Sequence, residues 1–286
     1  MTRITNRLNL PAPLVAAIER DPYVRHGDVS VTGLAKSPRQ YWLERRHGPD
    51  LIEDASDRIW ALLGSIGHKI LERAEMDNHL SEETLTADVN GWKLSGTPDL
   101  LEPDGTLVDF KFLSVFAIKD AKPEFESQLN SYALLYELYG FRVKALRIVG
   151  ILRDWSKRRS QREADYPQAG VVVREVPLWS DEQRRAYVEG RVTLLQANET
   201  VPDDALPDCT PDERWATDIV YATKKPGGKR AVRLFTDEDE ARDFAILNKL
   251  DIDVRPGENI RCDSYCAVAP FCSTHKARQA DEPPTV

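Results

Sequence analysis

Three residues set the chemistry open to this sequence: Asp99, Asp109 and Lys111. Pro103-Asp104-Gly105 is a strong turn signal between two strand-like runs, 92–101 and 106–113. A hairpin folded about Asp104 places Asp99 opposite Asp109, with the two side chains projecting together. In the second run Val108, Phe110 and Phe112 alternate with Asp109 and Lys111, so a period of two puts the acid and the lysine on one face. Adjacent carboxylates repel unless a divalent cation lies between them. Mg²⁺ or Mn²⁺ accepts one or two carboxylates, completes its shell with water and phosphate oxygens, and so suits phosphoryl chemistry. Lys111 would hold the attacking water or stabilise developing charge. Asp-x-Lys by itself is common and usually a solvated ion pair. The company of Gly96-Thr97-Pro98-Asp99, His68 and Gln128 makes it a candidate site.

The residues around that hairpin need elements to carry them. A helix is expected over about 57–77, where Ile59, Leu62, Leu63, Ile66 and Ile70 form an apolar stripe. His68 and Glu72 lie one turn apart on it. His68 is a candidate metal ligand through a ring nitrogen, and Glu72 a solvated or supporting group. A second helix, about 124–139, carries Gln128 and Tyr132 on one face, although Tyr132 could equally pack with Phe125, Leu129 and Tyr136. Strands follow at 145–152 and 170–176, then a helix to about residue 198 with Ser180 and Gln183 as a capping box.

The order His68, Gly96-x-x-Asp99, Asp109-Phe110-Lys111 and Gln128-x-x-x-Tyr132 resembles the PD-(D/E)XK nuclease superfamily. Within it, the RecB-like branch, which includes viral recombination exonucleases and CRISPR-associated nucleases, is the nearest in pattern. The likeness spans about residues 30–155. It implies an α/β, restriction-endonuclease-like fold, a central mixed sheet flanked by helices, with a cysteine-bearing C-terminal extension here. It implies Asp99, Asp109 and His68 as ligands of Mg²⁺, Lys111 as the catalytic lysine, and Gln128 and Tyr132 as supporting residues. The activity implied is that of a metal-dependent deoxyribonuclease, an exonuclease of recombination or DNA end processing, acting on DNA beside a recombination or single-strand-annealing partner. The alternative is a catalytically inactive nucleic-acid-binding or assembly module, and the intact Asp99, Asp109 and Lys111 set speaks against it. Asp109 stands where many relatives carry Glu, and both are hard oxygen ligands.

Four cysteines, Cys209, Cys262, Cys266 and Cys272, give the number of thiolates that a [4Fe–4S] cluster or a tetrahedral Zn²⁺ needs. Relatives with an iron–sulfur staple place one cysteine before the nuclease core and three after it. Ser37-Pro38-Arg39 looks like that earlier position, but residue 37 is Ser, so Cys209 would have to be the fourth ligand. His275 is a weaker substitute for one thiolate.

The chain has 286 residues, 41% hydrophobic and 30% charged, with a net charge of −8. That balance argues against a passive coat protein for nucleic acid but not against an enzyme with a local basic track. The track would be Arg153, Lys157, Arg158, Arg159 and Arg162, with Trp155 among them to meet an unstacked base. Lys224, Lys225, Lys229 and Arg230 flank a second turn. A nuclease core over 1–200, a cysteine-containing module over 201–276 and a disordered tail over 277–286 are the expected divisions. No apolar run is long enough to span a membrane and no secretory signal is visible, so a cytoplasmic protein is expected.

Overall fold

The computed structural model describes residues 2–20, 26–74, 76–119 and 123–281. They form two compact units, one from the described residues of 1–36 and 48–200, the other from 37–47 and those after 200. Residues 37–47, expected in the nuclease core, belong instead with the cysteine-bearing segment.

In the first unit, strand β1 (Val29–Ser30) and helix α1 (Ile59–Glu72) precede β2 (Leu80–Ser81), β3 (Leu85–Val89), β4 (Trp92–Gly96), β5 (Leu100–Leu101) and β6 (Thr106–Leu113). Helix α2 (Pro123–Leu138), β7 (Ala145–Leu152), β8 (Val171–Val176) and α3 (Asp181–Gln196) complete it. A five-stranded mixed sheet has the order β8-β7-β6-β5-β2, with β6 and β7 parallel and the other pairs antiparallel. A three-stranded sheet has the order β1-β4-β3. The single strand expected over 92–101 is thus two strands in two sheets. Pro98, which has no N–H to give a ladder, sits where they part.

Local chemistry accounts for the rest of the hairpin. The Thr106 N–H donates to Asp104 Oδ1 at 2.8 Å, and Gly105 takes φ +91°, where a Cβ would also lie 2.8 Å from the Arg142 carbonyl oxygen. The register that follows pairs Leu100 with Val108 and Leu101 with Leu107. Behind the sheet α2 is buried nearly all round: Leu129, Ala133, Leu135 and Tyr136 are each 1% exposed or less, so its position relative to β6 is set by close packing. Helix α3 begins with the Ser180–Gln183 capping box and buries Val188, Val192 and Leu195.

In the second unit the helix over 37–47 starts where Ser37 Oγ accepts the Gln40 N–H at 3.1 Å. Its Arg39 is buried, and the guanidinium donates to the carbonyls of Asp203, Leu206 and Pro207 and to Ser273 Oγ. Strands β9 (Val220–Lys224), β10 (Ala231–Phe235) and β11 (Asp251–Arg255) form an antiparallel sheet of order β10-β9-β11 against helix α4 (Glu238–Asn248). Helix α5 (Ser273–Asp281) runs into the stretch expected to be a disordered tail. Its Ala277, Arg278, Gln279 and Ala280 are good helix formers. Residues 282–286 of that expectation lie outside the described residues. No helix among the described residues is long and apolar enough to cross a membrane.

Candidate active site

The site begins where the hairpin ladder ends. Pairing of β5 with β6 stops at Leu100, and in place of a further ladder bond the Phe110 N–H donates to Asp99 Oδ2 at 2.6 Å. That bond fixes a carboxylate whose side chain is only 11% exposed. Burial, and then the negative charge of Asp109, raise Asp99 from the ordinary carboxylate range to about 7.

Asp109 is 3% exposed. Burial raises its pKa too, against the opposing pull of Lys111. Lys111 Nζ donates to Asp109 Oδ1 at 2.9 Å and to Gln128 Oε1 at 3.2 Å, while Gln128 Nε2 donates to the Tyr132 hydroxyl at 3.2 Å. Helix α2 therefore holds the lysine from one side and β6 from the other. Asp109 Oδ2, though 2.7 Å from the same ammonium, accepts no aligned hydrogen bond.

His68, on α1, has Nδ1 3.3 Å from Glu82 Oε1 and 3.4 Å from Asp99 Oδ1. The bond to Glu82, and then the charge of Asp99, raise the imidazole pKa, with burial opposing. Ligand atoms of His68, Glu82 and Asp99 lie within 4.8 Å of one another. The expected ligand set was His68, Asp99 and Asp109. The structure gathers Glu82 in place of Asp109, because the Asp109 carboxylate is turned to Lys111.

Glu82 has no counterpart among the residues picked from sequence. It takes φ +54°, unusual for a residue with a Cβ, and its N–H donates to the Asp99 carbonyl oxygen at 3.2 Å. Nothing in its spacing from His68 or Asp99 marks it; the pairing of β2 with β5 brings it there. A cleft of about 200 Å³ opens beside these groups, lined by Glu72, His79, Glu82, Asp99 and Phe110 among others. Glu72 itself pairs with Lys69 at 2.7 Å on the surface.

The basic segment after β7 divides. Arg153 stacks over the ring of Trp60, 4.1 Å from its centroid, and Lys157 and Arg158 make no ion pair among the described residues. Arg159 is held by Glu163 in two bonds of 2.9 and 2.8 Å. Trp155, expected to face nucleic acid, packs against the cluster of Val115, Ile118, Leu152 and Tyr166, and its indole N–H donates to the Pro167 carbonyl oxygen. At the second turn, Lys224 is 3.4 Å from Asp253.

In the second unit all four cysteines are unpaired and partly buried. Cys209 Sγ is 3.1 Å from Ser37 Oγ. Burial raises the Cys209, Cys262 and Cys266 thiols, Cys266 to about 11, and neighbouring thiols in the group add to each shift. No three of the sulfurs lie within 4.8 Å of one another. His275 Nδ1 is 3.7 Å from Asp263.

No protein-family model matches this chain, and no curated protein does. Among solved structures, one titled "Crystal structure of SSO0001" is similar over 66% of this chain and 86% of that chain, with 17% sequence identity and a TM-score of 0.45. The chain is a mixed α/β protein with several sheets flanked by helices and four cysteines in its C-terminal region.

Proposed function

We propose that the protein is a metal-dependent nuclease of the PD-(D/E)XK superfamily, with a restriction-endonuclease-like core, acting on DNA as an exonuclease of recombination or end processing. The observation that carries this reading is the buried acid pair: Asp99 and Asp109 are both desolvated and both raised in pKa, and ligand atoms of His68 and Glu82 gather against Asp99. A divalent cation is the ligand that turns this cost into binding energy. His68, Glu82 and Asp99 would hold it, with Asp109 alongside. A bound Mg²⁺ would supply Lewis acidity at the scissile phosphate and an activated water. Lys111, already oriented by Asp109 and Gln128, would offset the charge that develops on the phosphate. Tyr132 keeps Gln128 in place.

In the second unit the four thiols would hold a [4Fe–4S] cluster or, alternatively, Zn²⁺. The group would staple the short segments over 260–264 and 269–271, which bury none of their own residues, to the rest of the unit.

Titrating Mg²⁺ or Mn²⁺ against linear and closed circular DNA tests the catalytic reading. Loss of linear DNA alone identifies an exonuclease, and nicking of circles an endonuclease. Asp109→Asn and Lys111→Ala are expected to lower the rate by at least about 10²-fold without unfolding the protein. Failure of the unaltered protein to cut any DNA with either metal overturns the proposal.

A further inference from the structure

Helix α1 carries more than His68. Trp60, Gly64 and His68 are spaced by four, so they follow one line along the helix over about 12 Å. Trp60 is 57% exposed despite its size. The contact recorded for its ring is the guanidinium of Arg153, 4.1 Å from the centroid, and Arg153 makes no ion pair among the described residues. One turn on, a Cβ built on Gly64 meets nothing within 4 Å, whereas one built on Gly67 would run into the Phe112 ring at 2.0 Å. Gly67 is therefore the packing face, and Gly64 opens a bare strip of helix between the indole and the imidazole. At the far end of that strip His68 stands 3.3 and 3.4 Å from the acids Glu82 and Asp99.

We infer that the strip from Trp60 across Gly64 to His68 is a track for an unpaired DNA strand, with Trp60 and Arg153 as the platform on which a base stacks before the strand reaches the acids. The occupant follows from the groups present. An indole face accepts any nucleobase, a guanidinium beside it serves both the base plane and the phosphate, and neither needs a particular sequence. Lys157 and Arg158 follow Arg153 closely in the chain and add free positive charge to an otherwise acidic protein. A stacked duplex offers no free base face at such a platform, which selects single strands. The other exposed apolar residues of α1, Leu63, Ile66 and Ile70, lie roughly 100–160° around the helix from Gly64 and take no part.

This inference deepens the nuclease reading and rests on it for the direction of the track, but its test is a binding measurement. The full-length protein in EDTA is titrated against fluorescein-labelled oligothymidylate and against a blunt duplex of the same length. Trp60→Ala is expected to weaken oligothymidylate binding about 5- to 150-fold, the worth of one stacked base. Trp60→Phe should restore most of that loss. Gly64→Leu, which favours the helix, should weaken single-strand binding by blocking the strip while leaving duplex binding within twofold. Single-strand affinities unchanged in Trp60→Ala and Gly64→Leu, or losses equal on single strand and duplex, overturn the inference. Cleavage of the same oligonucleotides after Mg²⁺ addition separates the two ideas. Cutting without dependence on Trp60 removes the track alone, and Trp60-dependent binding without any cutting removes the nuclease and keeps the platform.

Discussion

The carboxylate cluster of the α/β unit and the cysteine group of the second unit differ in what positions them before any ion arrives. Asp99 is fixed by a main-chain N–H, Lys111 by two side chains, and Glu82 by a left-handed backbone that places it against His68. These acids stay in place at a cost in desolvation, because the sheet and α2 over-determine their positions. The thiols have a thinner framework, in which Ser37 Oγ reaches Cys209 Sγ at 3.1 Å. Three of them are raised in pKa, so they are neutral, and the short segments over 260–264 and 269–271 that flank them bury little. On the proposed reading, the acids are positioned before an ion arrives, and the thiols would be drawn together by one.

The sharpest way to break that contrast is to remove the metal group from each unit in turn. Cys266→Ser, or metal removal from the purified protein, is expected to lower hydrogen-exchange protection over 260–281 while leaving that of β6, β7 and α2 unchanged. If these were ordinary packed cysteines, the substitution would cost about 1 kcal/mol and protection would persist.

A smaller effect of opposite character is expected at the acids. Folded Asp99 titrates near 7 against an ordinary value of 3.8. Between those values the unfolded chain has released a proton that the folded protein keeps, so stability falls as pH rises through that window. The loss is complete above about pH 7 and amounts to about 4 kcal/mol at most. In EDTA the first unit should therefore melt lower at pH 8 than at pH 5.5. Asp99→Asn should lessen the pH dependence and raise the melting temperature at pH 8. Mg²⁺ should stabilise the unaltered protein more at pH 8 than at pH 6, because at the lower pH it must displace a proton. A flat melting profile across this range would show that Asp99 is not the strained group.

What the sequence discloses of these two regions follows the range over which each feature is determined. The turn at Asp104–Gly105, the alternation along β6, the spacing of Gln128 and Tyr132 and the Ser180 cap are all set within a few residues, and each can be read directly. Glu82 cannot, because its place depends on β2 joining the far edge of the sheet. Nor can the membership of 37–47 in the second unit, which rests on Arg39 reaching carbonyls more than 160 residues away. The aromatic partner of the basic segment illustrates the same limit. Trp155 is adjacent in sequence and packs inward, while Trp60, nearly a hundred residues earlier, takes the exposed position beside Arg153.

The finest distinction concerns two neighbouring arginines that the sequence treats alike. Arg159 makes two bonds to Glu163 and lies over the Tyr166 ring at 4.4 Å, so its charge is locally cancelled. Arg158 has no ion pair among the described residues. Each cation that neutralises a phosphate adds about one unit to the slope of log affinity against log salt. Arg158→Ala should therefore flatten that slope by about one unit. The double variant Arg159→Ala/Glu163→Ala, which deletes a neutral pair, should leave the slope as it was. Exposed pairs of this kind are worth only about 0.3–0.5 kcal/mol, so a phosphate could in principle compete for Arg159. Equal flattening in both variants would mean that Arg159 does leave Glu163 for DNA, and that pairing on the free surface does not decide which cations bind.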